Sequence, residues 1–231
     1  MARANQIPVT QVFEVDASRQ TKRVSANVAG FLGTTRIALN DNLLKRCTLP
    51  EIREVMAHEM GHYILNHSFK LVTYFSFFFL LGFVALRIFF QAAVNKWGER
   101  WGLRVAPPPE NVTESERELA PATPGPQPTY GIADPAGLPL LSLIFTTVFF
   151  LLTPLIHTAI RVTEREADAF SINTAREPDG MAQVALKLGE YRKLDPAPLE
   201  EFIFFDHPSG RARIRMAMDW KAAHLPAGGK E

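Results

Sequence analysis

Cysteine is almost missing from this sequence of 231 residues, because Cys47 is the single one. An intrachain disulfide is therefore excluded, and we interpret Cys47 as a small apolar residue. A charge excess is missing as well, since the formal net charge is +1. With no basic stripe visible, this argues against a nucleic-acid-binding surface. The first six residues contain no apolar run, so we expect no signal peptide.

Long apolar runs are what the sequence does have. Phe69–Phe90 and Leu138–Ile160 contain 22 and 23 residues, and about 20 apolar residues cross a bilayer core. We predict two transmembrane helices and a multi-pass protein of the bacterial inner membrane or endoplasmic reticulum, in contact with the lipid bilayer. Trp97 and Trp101 suit a membrane interface, and His157 faces either the interface or a polar cavity. For the first run, the alternative is a buried helix of a soluble protein.

Proline is concentrated between these two runs. Nine of the 17 prolines lie in Val105–Pro139, which indicates an extended or disordered loop. Two spans place both flanking segments on the same side of the membrane. The predicted organisation is a first part of a folded domain at 1–68, a span at 69–90, the loop at 91–137, a span at 138–160 and the rest of the folded domain at 161–231.

The pattern His-Glu-x-x-His at 58–62 precedes the first run. Two histidines four residues apart lie on one face of a helix, so His58 and His62 could both bind one zinc ion at about 2.0–2.1 Å. Glu59 is then placed beside the metal, where it could take a proton from the attacking water. This spacing supplies two ligands and a base, and the third ligand must come from elsewhere.

A helix over Glu51–Asn66 is predicted around this pattern. Thr48 and Glu51 fit a capping box, with Pro50 in the first turn. Gly61 lies inside the helix at a cost of about 1 kcal/mol relative to alanine. Either it allows another element to approach the metal face, or it is merely tolerated.

Three short strands are predicted before this helix, at Val9–Val15, Val24–Gly30 and Thr35–Leu39, followed by a short helix at Asn40–Arg46. We expect a small antiparallel sheet. Its edge either receives an extended peptide as an added strand or only covers the helix.

Acidic residues follow the second run. Thr163–Phe170 is predicted to open a new helix, in which Glu164 and Asp168 share a face. One carboxylate could complete the zinc site while the other orients a ligating histidine; Glu166 is the competing ligand, and a solvated acidic face is the alternative. An amphipathic helix is predicted at Met181–Leu194. A histidine or arginine in the segment 207–213 could stabilise an oxyanion, or the segment is a surface loop.

Several separated stretches agree with one family. They are Ser25–Gly30, Thr35–Leu39 with Asn42–Leu44, Val55–His67, Glu164–Phe170, and His207-Pro208 with Arg213. On these residues the chain resembles the M48 metallopeptidases, most closely the type I CAAX prenyl proteases of the Ste24-like group. Members of that group have further membrane helices ahead of the catalytic part. The resemblance therefore corresponds to a C-terminal fragment of such a protein or to a reduced relative.

The resemblance also implies roles for individual residues and one Zn²⁺ per chain. These are the metal ligands His58, His62 and Glu164, the catalytic base Glu59, Asp168 behind the ligands, His207 on the tetrahedral intermediate with Arg213 in support, and Asn27 on the strand that receives the substrate backbone.

The expected fold is α+β and mainly α, a zincin-like metalloprotease core with a small antiparallel sheet and two transmembrane helices. The expected function is a membrane-embedded zinc metalloendopeptidase that acts on a peptide or protein, with a prenylated C-terminus as the favoured substrate. Two alternatives remain open. One is an HtpX-like protease for quality control of membrane proteins, and the other is a non-catalytic membrane scaffold with structural zinc.

Overall fold

A computed structural model of the chain describes residues 1–9, 11–30, 34–103, 135–189 and 193–225. Three strands and seven α-helices lie in these ranges, with short 3₁₀ turns at Arg3–Asn5 and Pro135–Gly137. In chain order they are β1 Gln11–Val15, β2 Ala26–Ala29, β3 Arg36–Asn40, α1 Asp41–Arg46, α2 Leu49–Ile64, α3 His67–Trp101, α4 Leu138–Ala175, α5 Pro178–Leu188, α6 Pro198–Phe204 and α7 Gly210–His224. Most of the predicted proline-rich loop lies outside the described residues.

The three strands form one sheet in the order β1-β3-β2, and this sheet is mixed rather than antiparallel as predicted. β2 pairs with β3 in the antiparallel sense, whereas β1 runs parallel to β3. A contact from the first residue of α1, directly after β3, is consistent with this direction: Asp41 Oδ1 accepts the backbone N–H groups of Ala17 and Ser18, both at 3.0 Å. Because these two residues follow β1, they hold its C-terminal end beside the C-terminal end of β3.

Helix α1 begins at the residue that the sequence indicated. Asn40 is its N-cap, and its side chain accepts a hydrogen bond from the backbone N–H of Leu43 at 2.8 Å. The same oxygen accepts from Ser25 N–H, and the amide nitrogen donates to the carbonyl of Arg23 at 2.7 Å. Asn40 therefore caps the helix and also ties down the segment that leads into β2.

Helix α2 also begins close to its predicted start. The carboxylate of Glu51 accepts the backbone N–H of Thr48 at 2.6 Å, although the Thr48 side chain makes no capping hydrogen bond. Lys187 on α5 donates to the same carboxylate at 2.7 Å. Glu51 therefore takes its predicted part in the capping box, and a contact with α5 supports it.

Helices α3 and α4 contain the two apolar runs and are longer than predicted. Both are long and apolar enough to cross a membrane, with a mean hydropathy of 2.1 in their most apolar segments. Only 28% and 6% of those segments is buried within the structure, which is little for a core helix of a soluble protein. No new helix opens at Thr163: α4 continues without a break to Ala175, so its last turns are an extension of the apolar run.

The chain divides into two compact units, one formed by Met1–Phe75 with Pro154–Glu231 and the other by Ser76–Thr153. The core of the first unit includes two clusters, one around Met60 and Ala57, the other around Ile172 and Met181. The second unit has its own cluster around Phe90 and Val94. The fold class is confirmed: mainly α-helical, with a small sheet and two candidate membrane helices. Helix α5 begins at Pro178, earlier than predicted, and ends at Leu188.

Candidate metal centre

Helix α4 approaches α2 closely, which brings the acidic residues of α4 near the histidines of α2. A Cβ atom placed on Gly61 would lie 3.1 Å from Phe170 Cδ1 and 3.3 Å from Ala167 Cα. Glycine at this position therefore lets the backbone of α4 approach the histidine-bearing face of α2. Of the two interpretations of Gly61, the structure favours close approach over tolerance.

Three side chains converge where the helices meet. His58 Nε2 lies 3.0 Å from His62 Nε2 and 3.3 Å from Glu164 Oε2, and His62 Nε2 lies 3.4 Å from Glu164 Oε1. Tetrahedral ligands at about 2.0–2.1 Å from a zinc ion would be about 3.3–3.4 Å apart. The donor atoms of His58, His62 and Glu164 thus fit a small divalent ion, and all of them lie within 4.8 Å of one another.

The hydrogen bond behind His58 and the pKa values of the two histidines agree with this fit. His58 Nδ1 donates to Asp168 Oδ1 at 2.9 Å, which leaves its Nε2 to face Glu164 and His62. Burial lowers the pKa of His62 to about 4, so its ring is neutral at physiological pH. Burial also acts to lower the pKa of His58, but hydrogen bonds to Asp168 and Glu164 outweigh it and raise this pKa to about 9. The carboxylates of Asp168 and Glu164 therefore favour a positive charge beside His58.

Glu59 lies beside this cluster and lines a cavity of about 370 Å³. Burial raises the pKa of its carboxyl group to about 7, which is near the value that suits proton transfer at neutral pH. The cavity is also lined by His58, Glu164, His207 and Arg213 on its polar side, by Val55, Met181, Val184 and Leu188 on its apolar side, and by the segment 23–26.

His207 reaches the same cluster from the loop between α6 and α7. Its Nε2 lies 3.4 Å from Glu164 Oε2, and its Nδ1 lies 2.8 Å from Asp206 Oδ1. Arg161 holds the start of this loop, because its guanidinium donates to the carbonyl of Glu201 at 3.0 Å and to that of Phe205.

His157, one turn before Arg161 in α4, contacts helix α6, which leads into this loop. Its Nδ1 lies 2.9 Å from the carbonyl of Ile203, so it donates to α6. Of its two predicted environments, an interface or a polar cavity, the structure shows a half-buried contact with a neighbouring helix. Nothing in the local sequence indicated the contacts that His157 and Arg161 make with α6 and the loop after it, because those partners are 40 or more residues away along the chain.

Arg213 lies in the interior beside Asp168, whereas Asn27 lies on the surface. The guanidinium of Arg213 donates to Asp168 Oδ1, and the Asp168 side chain is 1% exposed. Arg213 therefore acts on the carboxylate that holds His58. Asn27 is exposed on β2, directly after the segment 23–26 that lines the cavity.

Glu166, the competing ligand in the sequence analysis, lies away from the cluster of His58, His62 and Glu164. Its carboxylate contacts His67 Nε2 at 3.0 Å and Lys70 Nζ at 2.6 Å. His67 in turn lies 2.8 Å from His62 through the two Nδ1 atoms. No role was predicted for His67 from the sequence; a third histidine five residues after the pattern was the available signal.

Two half-buried histidines from one helix and a buried carboxylate from another form a donor set that is typical of catalytic zinc sites with one open position. With a glutamate directly beside the first histidine and a cavity in front of it, the fold and the site define a metallopeptidase-like protein. The model of Peptidase family M48 matches residues 1–221. The chain belongs to this family of metallopeptidases, whose reaction requires a metal ion.

Individual relatives agree with this assignment. A protein named uncharacterized metalloprotease YhfN, from Bacillus subtilis, is 28% identical over 213 residues, which is 91% of this chain and 44% of the relative. The CAAX prenyl protease 1 homolog of Oryza sativa is 38% identical over 69 residues, 29% of this chain and 16% of the relative. The crystal structure of Ste24p from S. mikatae matches with a TM-score of 0.69 at 20% identity, over 94% of this chain and 48% of that one.

The last similarity concerns the fold alone. The chain spans less than half the length of YhfN and of the Ste24p structure. The short match to the CAAX prenyl protease homolog covers less than a third of this chain.

Proposed function

We propose that this chain forms the catalytic part of a membrane zinc metalloendopeptidase, with His58, His62 and Glu164 as the ligands of one Zn²⁺ and Glu59 as the general base. The observation that carries the proposal is the set of 3.0–3.4 Å separations between the three donor atoms, which match a tetrahedral zinc ion. Three protein ligands and a cavity in front of them suit a catalytic ion better than a structural one, which is closed by four protein ligands. This favours an enzyme over a scaffold.

When bound, zinc supplies Lewis-acid polarisation of the scissile carbonyl and of the attacking water. Glu59 then takes a proton from that water and returns it to the leaving amine. His207 contacts Asp206 through Nδ1 and presents its Nε2 beside Glu164, where an Nε2–H group can donate to the developing oxyanion. Asp168 holds the ring of His58 in place, and Arg213 in turn neutralises Asp168.

We infer that the substrate lies along β2. This strand is at an edge of the sheet, and the segment 23–26 that leads into it lines the cavity. An extended peptide can add to such an edge through backbone hydrogen bonds, with Asn27 available on the same strand. The apolar wall formed by Val55, Met181 and Val184 would then accept an apolar side chain of the substrate.

We further propose that α3 and α4 cross the bilayer as a hairpin. Their apolar side chains are largely exposed, and His58 on one flank meets Glu164 on the other, as a hairpin with both flanks on one side requires. The matches to CAAX prenyl proteases make a prenylated C-terminal peptide the substrate to test.

The full chain in detergent, with unfolded casein as the substrate, tests the proposed roles. We expect Glu59→Gln to retain zinc and to lose at least 100-fold in turnover, because general acid–base catalysis contributes about 10²–10⁴-fold. Glu164→Ala should lose zinc. The control is Glu14→Gln, which makes the same glutamate-to-glutamine change at an exposed residue of β1. A zinc-loaded, fully active Glu59→Gln variant would refute Glu59 as the base.

A paired digestion resolves the substrate class. Prenylated and unprenylated forms of one C-terminal peptide are compared by kcat/KM. A strong preference for the prenylated form supports the CAAX-type assignment. Equal cleavage of both peptides, together with cleavage of unfolded membrane protein, would favour a quality-control protease instead.

A further inference from the structure

The second histidine of the metal cluster has its own partner on the far side of its ring. His62 Nδ1 lies 2.8 Å from His67 Nδ1, and the His67 side chain is 1% exposed. A histidine five residues further along an unbroken helix would point to another face. Here the helix is interrupted: Asn66 has a φ of 55°, a left-handed conformation that asparagine adopts more readily than most residues. This break brings the ring of His67 back beside His62.

The remaining contacts of His67 set the direction of the hydrogen bond. Its Nε2 lies 3.0 Å from Glu166 Oε2, and the same oxygen accepts from Lys70 Nζ at 2.6 Å. A carboxylate that is paired with an ammonium group has no proton to donate, so His67 donates its Nε2–H to Glu166. Because Lys70 already supplies the positive charge and His67 is buried, a neutral His67 ring is favoured.

A neutral His67 with its proton on Nε2 has a lone pair on Nδ1. It therefore accepts the Nδ1–H of His62, which leaves the lone pair of His62 on Nε2, 3.0 Å from His58 Nε2. In the opposite tautomer His62 would carry its proton on Nε2 and could not bind a metal ion there. Partners of this kind fix the tautomer and orientation of ligating histidines in metal proteins.

We propose that His67, held by Glu166 and Lys70, is a positioning residue that keeps the proton of His62 on Nδ1 and directs its Nε2 lone pair at the metal. The inference rests on the ligand set of the proposed function, and it deepens that proposal with a second supported histidine. His58 is held by Asp168 from α4, and His62 is held by His67 at the start of α3.

Zinc affinity of the full chain, measured by chelator competition, tests the inference without any assay of hydrolysis. His67→Phe keeps a ring of similar size and removes the acceptor, so zinc should bind about 10–100-fold more weakly. His67→Asn can offer its Oδ1 near the position of Nδ1 and should recover most of that loss. His224→Phe removes an exposed histidine whose Nδ1 donates to the carbonyl of Trp220, and it should leave the affinity unchanged.

The tautomer itself is measured by ¹⁵N chemical shifts of the imidazole rings in the zinc-free protein. The wild-type chain should show His62 protonated on Nδ1, and Glu166→Gln should shift the population toward Nε2. Wild-type His62 protonated mainly on Nε2 would overturn the inference, even if the His67 variants fail to fold. Unchanged zinc affinity in a folded His67→Phe variant would also overturn it. A wild-type chain that binds zinc but cleaves no peptide would refute the proposed function, and the His67 comparison would still decide the inference.

Discussion

Replacing Arg213 by methionine would remove the cation from a buried carboxylate. The Asp168 side chain is 1% exposed, and it accepts hydrogen bonds from His58 and from Arg213, whose own side chain is 14% exposed. Methionine keeps much of the length of the arginine side chain and none of its charge. Breaking one side of a buried ion pair costs about 3–5 kcal/mol, because the remaining charge loses its compensation. We expect a loss of this size in the free energy of unfolding.

A double-mutant cycle separates the charge effect from lost packing. Asp168→Asn in the Arg213→Met background removes the uncompensated charge and still leaves an oxygen for His58 Nδ1–H, so about 2–3 kcal/mol should be recovered relative to Arg213→Met alone. The Asp168→Asn single variant completes the cycle and gives the coupling energy of the pair. Unfolding would be followed by circular dichroism in detergent and urea, with a chelator present so that zinc binding does not contribute. A loss below about 1 kcal/mol for Arg213→Met, or no recovery in the double variant, would refute this account of the pair.

Two further predictions concern the packing around α2. Burial raises the pKa of the Glu54 carboxyl from 4.5 to about 7, so the folded chain binds the extra proton between these values and stability falls as pH rises through that window. In wild type this fall in the free energy of unfolding should reach about 3 kcal/mol, and Glu54→Gln should abolish it. If the free energies of unfolding of wild type and variant changed with pH in parallel, the prediction would be contradicted. A Cβ atom on Gly180 would lie 2.8 Å from the backbone of Pro50, so Gly180→Ala should destabilise by about 1–2 kcal/mol, whereas Gln183→Ala on the exposed side of the same helix should not.

Local patterns determined part of this structure. The spacing of His58 and His62 requires only a helix to bring both rings to one face, and the structure contains that helix. The two apolar runs likewise became helices, because a long, mainly apolar stretch satisfies its backbone groups within one helix. Asn40 was recognisable as a cap since its partner is three residues away.

Local sequence patterns did not predict the contacts between segments that are distant along the chain. The sequence left Glu164 and Glu166 open as competing ligands. In the structure the two carboxylates lie on different faces of α4, because Glu164 faces the histidines of α2, whereas Glu166 faces His67 and Lys70. The direction of β1 was predicted wrongly, because Asp41 fixes it through a contact 23 residues away. Local periodicity carries no signal about such partners.

The sequence by itself thus determined that the segment around His58 and His62 and the two apolar runs are helical, and that both histidines share one face, because those properties depend on residues within one or two turns. The tertiary structure alone decided that Arg213 neutralises Asp168, that Gly61 admits the backbone of α4, and that His67 supports His62. Each of these depends on two segments that approach within a few ångströms, and the free energy of that approach comes from the packing of the whole unit rather than from any one motif.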